Sequence, residues 1–161
     1  MSEDLLREAT KRFGRSAAPA GLLQGLHGLK LSAGRAYETA SLVAPDSQRK
    51  LYETLADHER KHAKAVATML GALAAKKPRR PTDDDVAALA GGIGDARTPH
   101  AALVAAQRLE AGEIAAFEAV MARMDIAKLL QTFLTIAAAD GQHRAAIRLA
   151  LGEEPVPKPF A

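Results

Sequence analysis

Hydrophobic residues recur along most of this chain in alternating steps of three and four, the spacing of one face of an α-helix. Four long segments have this pattern, and residues that favour helix ends separate them, so the sequence predicts an all-α four-helix bundle. A short amphipathic helix over residues 2–14 precedes the bundle, and a long crossover over residues 77–97 separates its second and third helices. We predict one domain, residues 1–161, with core helices at about 22–43, 47–76, 99–124 and 126–151.

Residues that begin and end helices agree with these bounds. Side chains suited to N-terminal capping stand before the last three long helices: Asp46 or Ser47, Thr98, and Asp125. Gly152 is expected to end the fourth helix, and the proline-rich tail over residues 153–160 cannot continue it. Within the crossover, residues 83–90 are predicted to form a short helix.

Two polar motifs, Glu59-x-x-His62 and Asp140-x-x-His143, interrupt the apolar faces of the second and fourth long helices. Residues three apart lie on the same side of a helix, so each motif aims a carboxylate and an imidazole in one direction. The surrounding periodicity demands apolar residues at these positions, which predicts that all four side chains are buried. A buried acid beside a buried histidine is costly without a partner, and either a metal ion or neighbouring charged side chains would supply one.

The two halves of the chain also resemble each other at an offset of about 80 residues. Three pairs of polar positions correspond across this predicted repeat: Lys30 with Glu110, Glu59 with Asp140, and His62 with His143. A two-helix unit used twice would bring all of these positions to the axis between the helices.

This layout resembles the ferritin-like di-metal carboxylate superfamily, in which two helices each supply a Glu and two others each supply Glu-x-x-His. The resemblance covers roughly residues 22–152, and the chain is similar above all to the small bacterial ferritin-like domains related to desiccation-associated proteins. The Pro-Val-Pro-Lys-Pro-Phe run after the last helix is also similar to the corresponding segment of those domains. The resemblance implies a ferritin-like fold binding one or two iron or manganese ions, and iron in such a site can reduce dioxygen or peroxide.

The metal ligands that the resemblance implies are Glu59, His62, Glu110, Asp140 and His143. Glu113 is the next candidate ligand, although it does not follow the family pattern. Two positions depart from the family pattern. Asp140 replaces a Glu with a shorter arm, and Lys30 stands where the first Glu would be, although an ammonium has no lone pair to give a metal. Glu113 would restore a fourth carboxylate, and His27, one turn before Lys30, would restore a ligand on the first long helix.

The remaining candidates near the motifs have weaker signals. Tyr37 lies on the same face as Lys30 and is either a redox or hydrogen-bonding neighbour of the site or a core aromatic residue. His58 points about 100° away from Glu59 around the helix, so we expect it at the surface. His100, in the first turn of the third long helix, is likewise expected to be exposed.

Composition and charge narrow the function classes. The chain has no cysteine, so any metal must be held by histidine and carboxylate side chains. A net charge of +3, from 22 basic and 19 acidic residues, is too balanced to indicate nucleic-acid binding. The basic residues 76–80 are expected to offset a helix dipole. No apolar run is long enough for a membrane span or a signal peptide, so we expect a cytoplasmic protein, with a homodimer plausible from the apolar content.

Three functional hypotheses follow from the sequence. The first is a ferritin-like protein that binds iron or manganese and acts as an oxidase or handles peroxide. The second is a metal-free descendant in which Lys30 is ion-paired in the core and the bundle is a structural or interaction module. The third, weaker one uses residues 76–80 to bind nucleic acid or another acidic partner. Whether the protein is an enzyme stays open.

Overall fold

The computed structural model describes residues 2–14, 19–123 and 127–156. These residues form helices and no strand, so the predicted all-α class is confirmed. The helices are α1 (Ser2–Phe13), α2 (Pro19–Val43), α3 (Asp46–Ala72), α4 (Asp83–Gly94), α5 (Pro99–Met121) and α6 (Ala127–Ala150). None of the helices in these ranges is long and apolar enough to cross a membrane.

The four long helices α2, α3, α5 and α6 form the bundle. The most extensive contacts within it join α2 to α3 and α5 to α6, and contacts of α2 with α5 and of α3 with α6 close it. The extra helices α1 and α4 both pack against α2 and α5. The apolar faces predicted from the periodicity point inward, and they surround a set of buried polar side chains.

Glycines on α2 allow α1 to approach closely. A Cβ atom at Gly28 would lie 2.1 Å from Cδ2 of Phe13, and one at Gly25 would lie 2.7 Å from Oγ1 of Thr10. These glycines lower the intrinsic helix propensity of α2, but any larger residue would push α1 away.

Two helix starts differ from the prediction. Helix α2 begins at Pro19, earlier than the predicted residue 22, because the fixed φ of proline suits the first turn of a helix. Helix α3 begins at Asp46 after Pro45, and no side chain caps it, so the predicted capping bond of Asp46 or Ser47 is wrong. The predicted cap Thr98 is confirmed, since its side chain accepts a hydrogen bond from the Ala101 N–H.

Helix α3 ends at Ala72, four residues before the predicted end. Ala74 has a φ of 52°, in the left-handed region, and the Ala75 N–H donates to the Leu70 carbonyl at 2.9 Å. This is the Schellman arrangement that reverses the chain after a helix, here built with alanine in the position that glycine prefers. Gly152, at a φ of 76°, makes the same turn after α6.

The crossover is held by an ion-pair network around Asp85, whose side chain is 1% exposed. Its carboxylate accepts hydrogen bonds from the Thr82 N–H and hydroxyl and forms ion pairs with Arg79 and Arg12. Arg79, one of the basic residues in the segment 76–80, therefore anchors α4. Helix α4 continues to Gly94, beyond the predicted residue 90, and Gly92 in this extra turn packs close to Ala105 of α5.

Helix α5 ends at Met121, three residues before the predicted end at 124. The sequence also predicts a connector at residues 16–21, but residues 19–21 belong to α2. The rest of that connector, the cap Asp125, the predicted start of the fourth long helix at residue 126 and the tail after residue 156 lie outside the described residues.

Candidate metal centre

Each of the four bundle helices contributes two side chains to one buried polar cluster. Their spacing of three or seven residues keeps both members of each pair on the face that points to the bundle axis. The buried polar cluster consists of Lys30 and Tyr37 from α2, Glu59 and His62 from α3, Glu110 and Glu113 from α5, and Asp140 and His143 from α6.

The fully buried Lys30 lies between three carboxylates. Its Nζ is 2.8 Å from Asp140 Oδ2, 3.0 Å from Glu59 Oε2 and 3.2 Å from Glu113 Oε1. Burial alone would lower the pKa of Lys30, but the charges of Glu113, Glu59 and Asp140 outweigh it and raise this pKa well above its ordinary value. Lys30 is therefore a buried ammonium, which also lies 5.3 Å from the centre of the Phe117 ring.

Four potential metal ligands lie beside this ammonium, each with one ligand atom within 4.8 Å of the others. We call them the four-residue group: Glu59, Glu110, Asp140 and His143. Oε1 of Glu59 and Oδ1 of Asp140 are buried and form no hydrogen bond of good geometry within the described residues, although both lie 3.3 Å from Nδ1 of His62. Three carboxylates and one imidazole are donors that suit iron and manganese. The convergence of these four ligand atoms and the donor chemistry fit one divalent metal ion.

Tyr37 holds one of these carboxylates in place. Its hydroxyl donates a hydrogen bond of 2.7 Å to Oε1 of Glu110, and Oε2 of Glu110 lies 3.2 Å from Nδ1 of His143. Burial, reinforced by the charges of Glu110 and Glu113, raises the pKa of Tyr37 well above its ordinary value, so the phenol keeps its proton. The structure thus assigns Tyr37 the hydrogen-bonding alternative.

His62 enters the cluster as a cation. Its Nδ1 lies 3.3 Å from both Glu59 Oε1 and Asp140 Oδ1. Burial alone would lower the pKa of His62, but the interactions with Asp140 and Glu59 outweigh it and raise the pKa to about 9. A protonated His62 neutralises part of the negative charge of these carboxylates in the metal-free protein. Its ring is not a member of the four-residue group, which is defined by the distances between ligand atoms.

Glu113 and His27, the two residues that could restore a ligand near Lys30, take different positions. Glu113 faces Lys30, and burial together with the charge of Glu59 raises the pKa of Glu113 well above its ordinary value. His27 is buried one turn before Lys30 on α2, and burial and the charge of Lys77 lower its pKa. The four-residue group includes neither residue.

The sequence did not indicate that His58 contacts the buried polar cluster. It is half-buried, its Nδ1 lies 2.9 Å from Nε2 of His143, and the two rings stack with centroids 5.1 Å apart. The prediction that it lies at the surface is wrong because a rotation of 100° from Glu59 turns it toward α6. Its spacing of four from His62 places both histidines on one side of α3 and could have indicated this. His100 is exposed, as predicted.

A family model described as a ferritin-like domain matches residues 16–153 of the chain. The chain belongs to this ferritin-like family. The predicted superfamily and the four-helix bundle with its long crossover are therefore confirmed. Searches of curated proteins and of solved structures found no match. Within this ferritin-like chain, the internal repeat and the identity of the metal ligands stay predictions.

Proposed function

We propose that this ferritin-like protein binds a single divalent ion, iron or manganese, and that Lys30 replaces the second ion of a di-metal site. The ligands would be Glu59, Glu110, Asp140 and His143. The observation that carries the proposal is the four-residue group itself, whose ligand atoms converge within 4.8 Å beside an ammonium that already neutralises the adjoining carboxylates.

The balance of charge in the cluster supports one ion. Four carboxylates, Glu59, Glu110, Glu113 and Asp140, face two cations, Lys30 and His62. Without metal, protons must relieve the excess negative charge, and burial together with Glu59 accordingly raises the pKa values of Glu110 and Glu113. One divalent ion together with the two cations balances all four carboxylates, so it would replace those protons.

Iron bound here would supply the capacity to reduce dioxygen or peroxide. The protein's own contribution is to orient its donors. Tyr37 fixes one oxygen of Glu110 and leaves the other beside His143. Lys30 holds Oδ2 of Asp140, so that Oδ1 stays directed toward His62 and the four-residue group. Carboxylates that are already oriented lose little side-chain conformational entropy when they bind an ion.

Elemental analysis tests this proposal directly. We expect about one equivalent of metal per chain after anaerobic loading with ferrous or manganous ion, both in the wild type and in Glu118→Gln. Glu118 is an exposed acid on the same helix as Glu110 and provides the matched control. Glu110→Gln should lose most of this binding because it removes a ligand charge. Two equivalents in the wild type would show that Lys30 does not replace an ion.

The second candidate is the metal-free bundle acting as a structural or interaction module. The triple ion pair of Lys30 favours it, because a cluster neutralised by ammonium and protons needs no metal. This candidate predicts no bound metal in the loaded wild type, with binding created by Lys30→Glu. A wild type that already holds one equivalent would exclude it.

A further inference from the structure

Outside the buried polar cluster, His58 makes a direct polar contact with a proposed ligand, since its Nδ1 lies 2.9 Å from Nε2 of His143. We propose that His58 is a positioning residue for the ligand His143, holding its imidazole so that Nδ1 faces the ion. This inference rests on the proposed metal site, and it assigns a role to a residue that does not itself touch the ion.

The two ring nitrogens of His143 face different partners. Nδ1 lies 3.2 Å from Glu110 Oε2, 3.6 Å from Glu59 Oε1 and 3.8 Å from Asp140 Oδ1. Nε2 lies 2.9 Å from Nδ1 of His58. His143 therefore has its ligand atom directed at the carboxylates and its other nitrogen held from outside by a second helix.

The His58 contact suits His143 both with and without metal. A neutral imidazole carries one N–H, so without metal the geometry allows Nδ1–H of His143 to donate to Glu110 while Nε2 accepts from Nδ1–H of His58. When Nδ1 binds an ion, the N–H of His143 must be at Nε2, and it donates to Nδ1 of His58, whose own proton is then at Nε2. The number of protons on the pair is unchanged, and only the direction of the hydrogen bond reverses.

Loss of this contact would weaken the site in two ways. His143 is only 4% exposed, so its Nε2–H in the metal-bound form would lack the partner that His58 provides, and an unpartnered buried donor is costly. The stacked ring of His58 also fixes the plane of the His143 ring. Partners of this kind typically change metal affinity by about 10–100-fold when they are removed.

The test compares two substitutions at one position, with Zn²⁺ and Mn²⁺ as probes. His58→Phe keeps a ring for stacking but removes the nitrogen, and we expect its affinity for metal to fall by about 10–100-fold. His58→Asn places an amide near the position of Nδ1 and should bind more tightly than His58→Phe. His100→Phe, a change at an exposed histidine, should leave the affinity at the wild-type value.

A spectroscopic readout separates positioning from a general loss of stability. ¹⁵N NMR at pH 8 should find the His143 proton at Nδ1 in the metal-free wild type and at Nε2 after Zn²⁺ is bound. A Zn²⁺-bound wild type whose His143 proton is not at Nε2 would overturn the inference. Equal affinities of the wild type and a folded His58→Phe would overturn it while leaving the proposed function intact, whereas a wild type that binds neither ion would overturn both.

Discussion

Nζ of Lys30 lies 2.8 Å from Oδ2 of Asp140, and both side chains are fully buried. From the sequence, both residues are expected to depart from the ferritin-like pattern, and in the structure they contact each other. Asp140 uses one oxygen for this ion pair and directs the other toward His62 and the four-residue group.

Lys30→Met should destabilise the metal-free protein by about 3–5 kcal/mol, the usual cost of leaving buried charges without their partner. Methionine keeps the length of the side chain, so the change removes the ammonium with little change in packing. Urea unfolding in the presence of a chelator measures the effect. Lys64→Met, at an exposed position of α3, should change the free energy of unfolding by no more than about 0.5 kcal/mol. Equal stability of the two variants would contradict the ion-pair assignment.

Removing single hydroxyl groups from Tyr37 and Tyr52 should have different effects, although both residues are buried and their rings are 6.2 Å apart. Tyr37→Phe leaves Oε1 of Glu110 without its donor and should cost about 1–2 kcal/mol as well as weakening metal binding. The hydroxyl of Tyr52 has no hydrogen-bond partner among the described residues, so Tyr52→Phe should be neutral or slightly stabilising. Thermal unfolding of both variants decides this, and a larger loss in Tyr52→Phe would contradict it.

Ala74→Gly should stabilise the protein by about 0.5–1 kcal/mol. Ala74 has a φ of 52°, which costs energy for any residue with a Cβ atom and none for glycine. Ala72→Gly, two residues earlier and still inside α3, should instead destabilise the protein by about 0.5–1 kcal/mol because the same substitution there weakens a helix. Denaturant unfolding measures both changes in the free energy of unfolding. Changes of opposite sign would confirm the turn geometry, and two destabilised variants would refute it.

Asp85→Asn should destabilise the protein by about 2 kcal/mol at pH 7, since it removes a buried charged acceptor. Hydrogen bonds from Arg79, followed by those from Thr82 and Arg12, hold the pKa of Asp85 well below its usual range. A carboxyl whose pKa is lowered on folding stabilises the protein above its unfolded-state pKa of about 3.9, and this stabilisation is lost as the pH falls toward the lowered value.

The stability difference between the wild type and Asp85→Asn should therefore shrink as the pH is lowered from about 4 toward 2. Denaturant unfolding across this range measures it, with Asp84→Asn, an exposed acid in the same helical turn, as the control. A difference that is independent of pH would show that the Asp85 charge does not contribute to anchoring α4.

The sequence by itself determined the bundle and the burial of its polar residues. A helix repeats its environment every three to four residues, so the apolar faces of the long helices and the inward direction of Glu59, His62, Asp140 and His143 follow from spacing within one segment. The helix ends were less predictable. The end of α3 depends on the left-handed conformation of Ala74, and alanine gives no signal for it.

Only the tertiary structure decided which side chains pair. The contacts of Lys30 with Asp140, of Tyr37 with Glu110 and of His58 with His143 join different helices. Each depends on how far the helices are rotated and separated, which spacing along a single helix does not specify. The predicted ion pair of Lys30 needed only a nearby acid, but the convergence of four ligand atoms beside that ammonium required the packing of α3, α5 and α6 around the bundle axis.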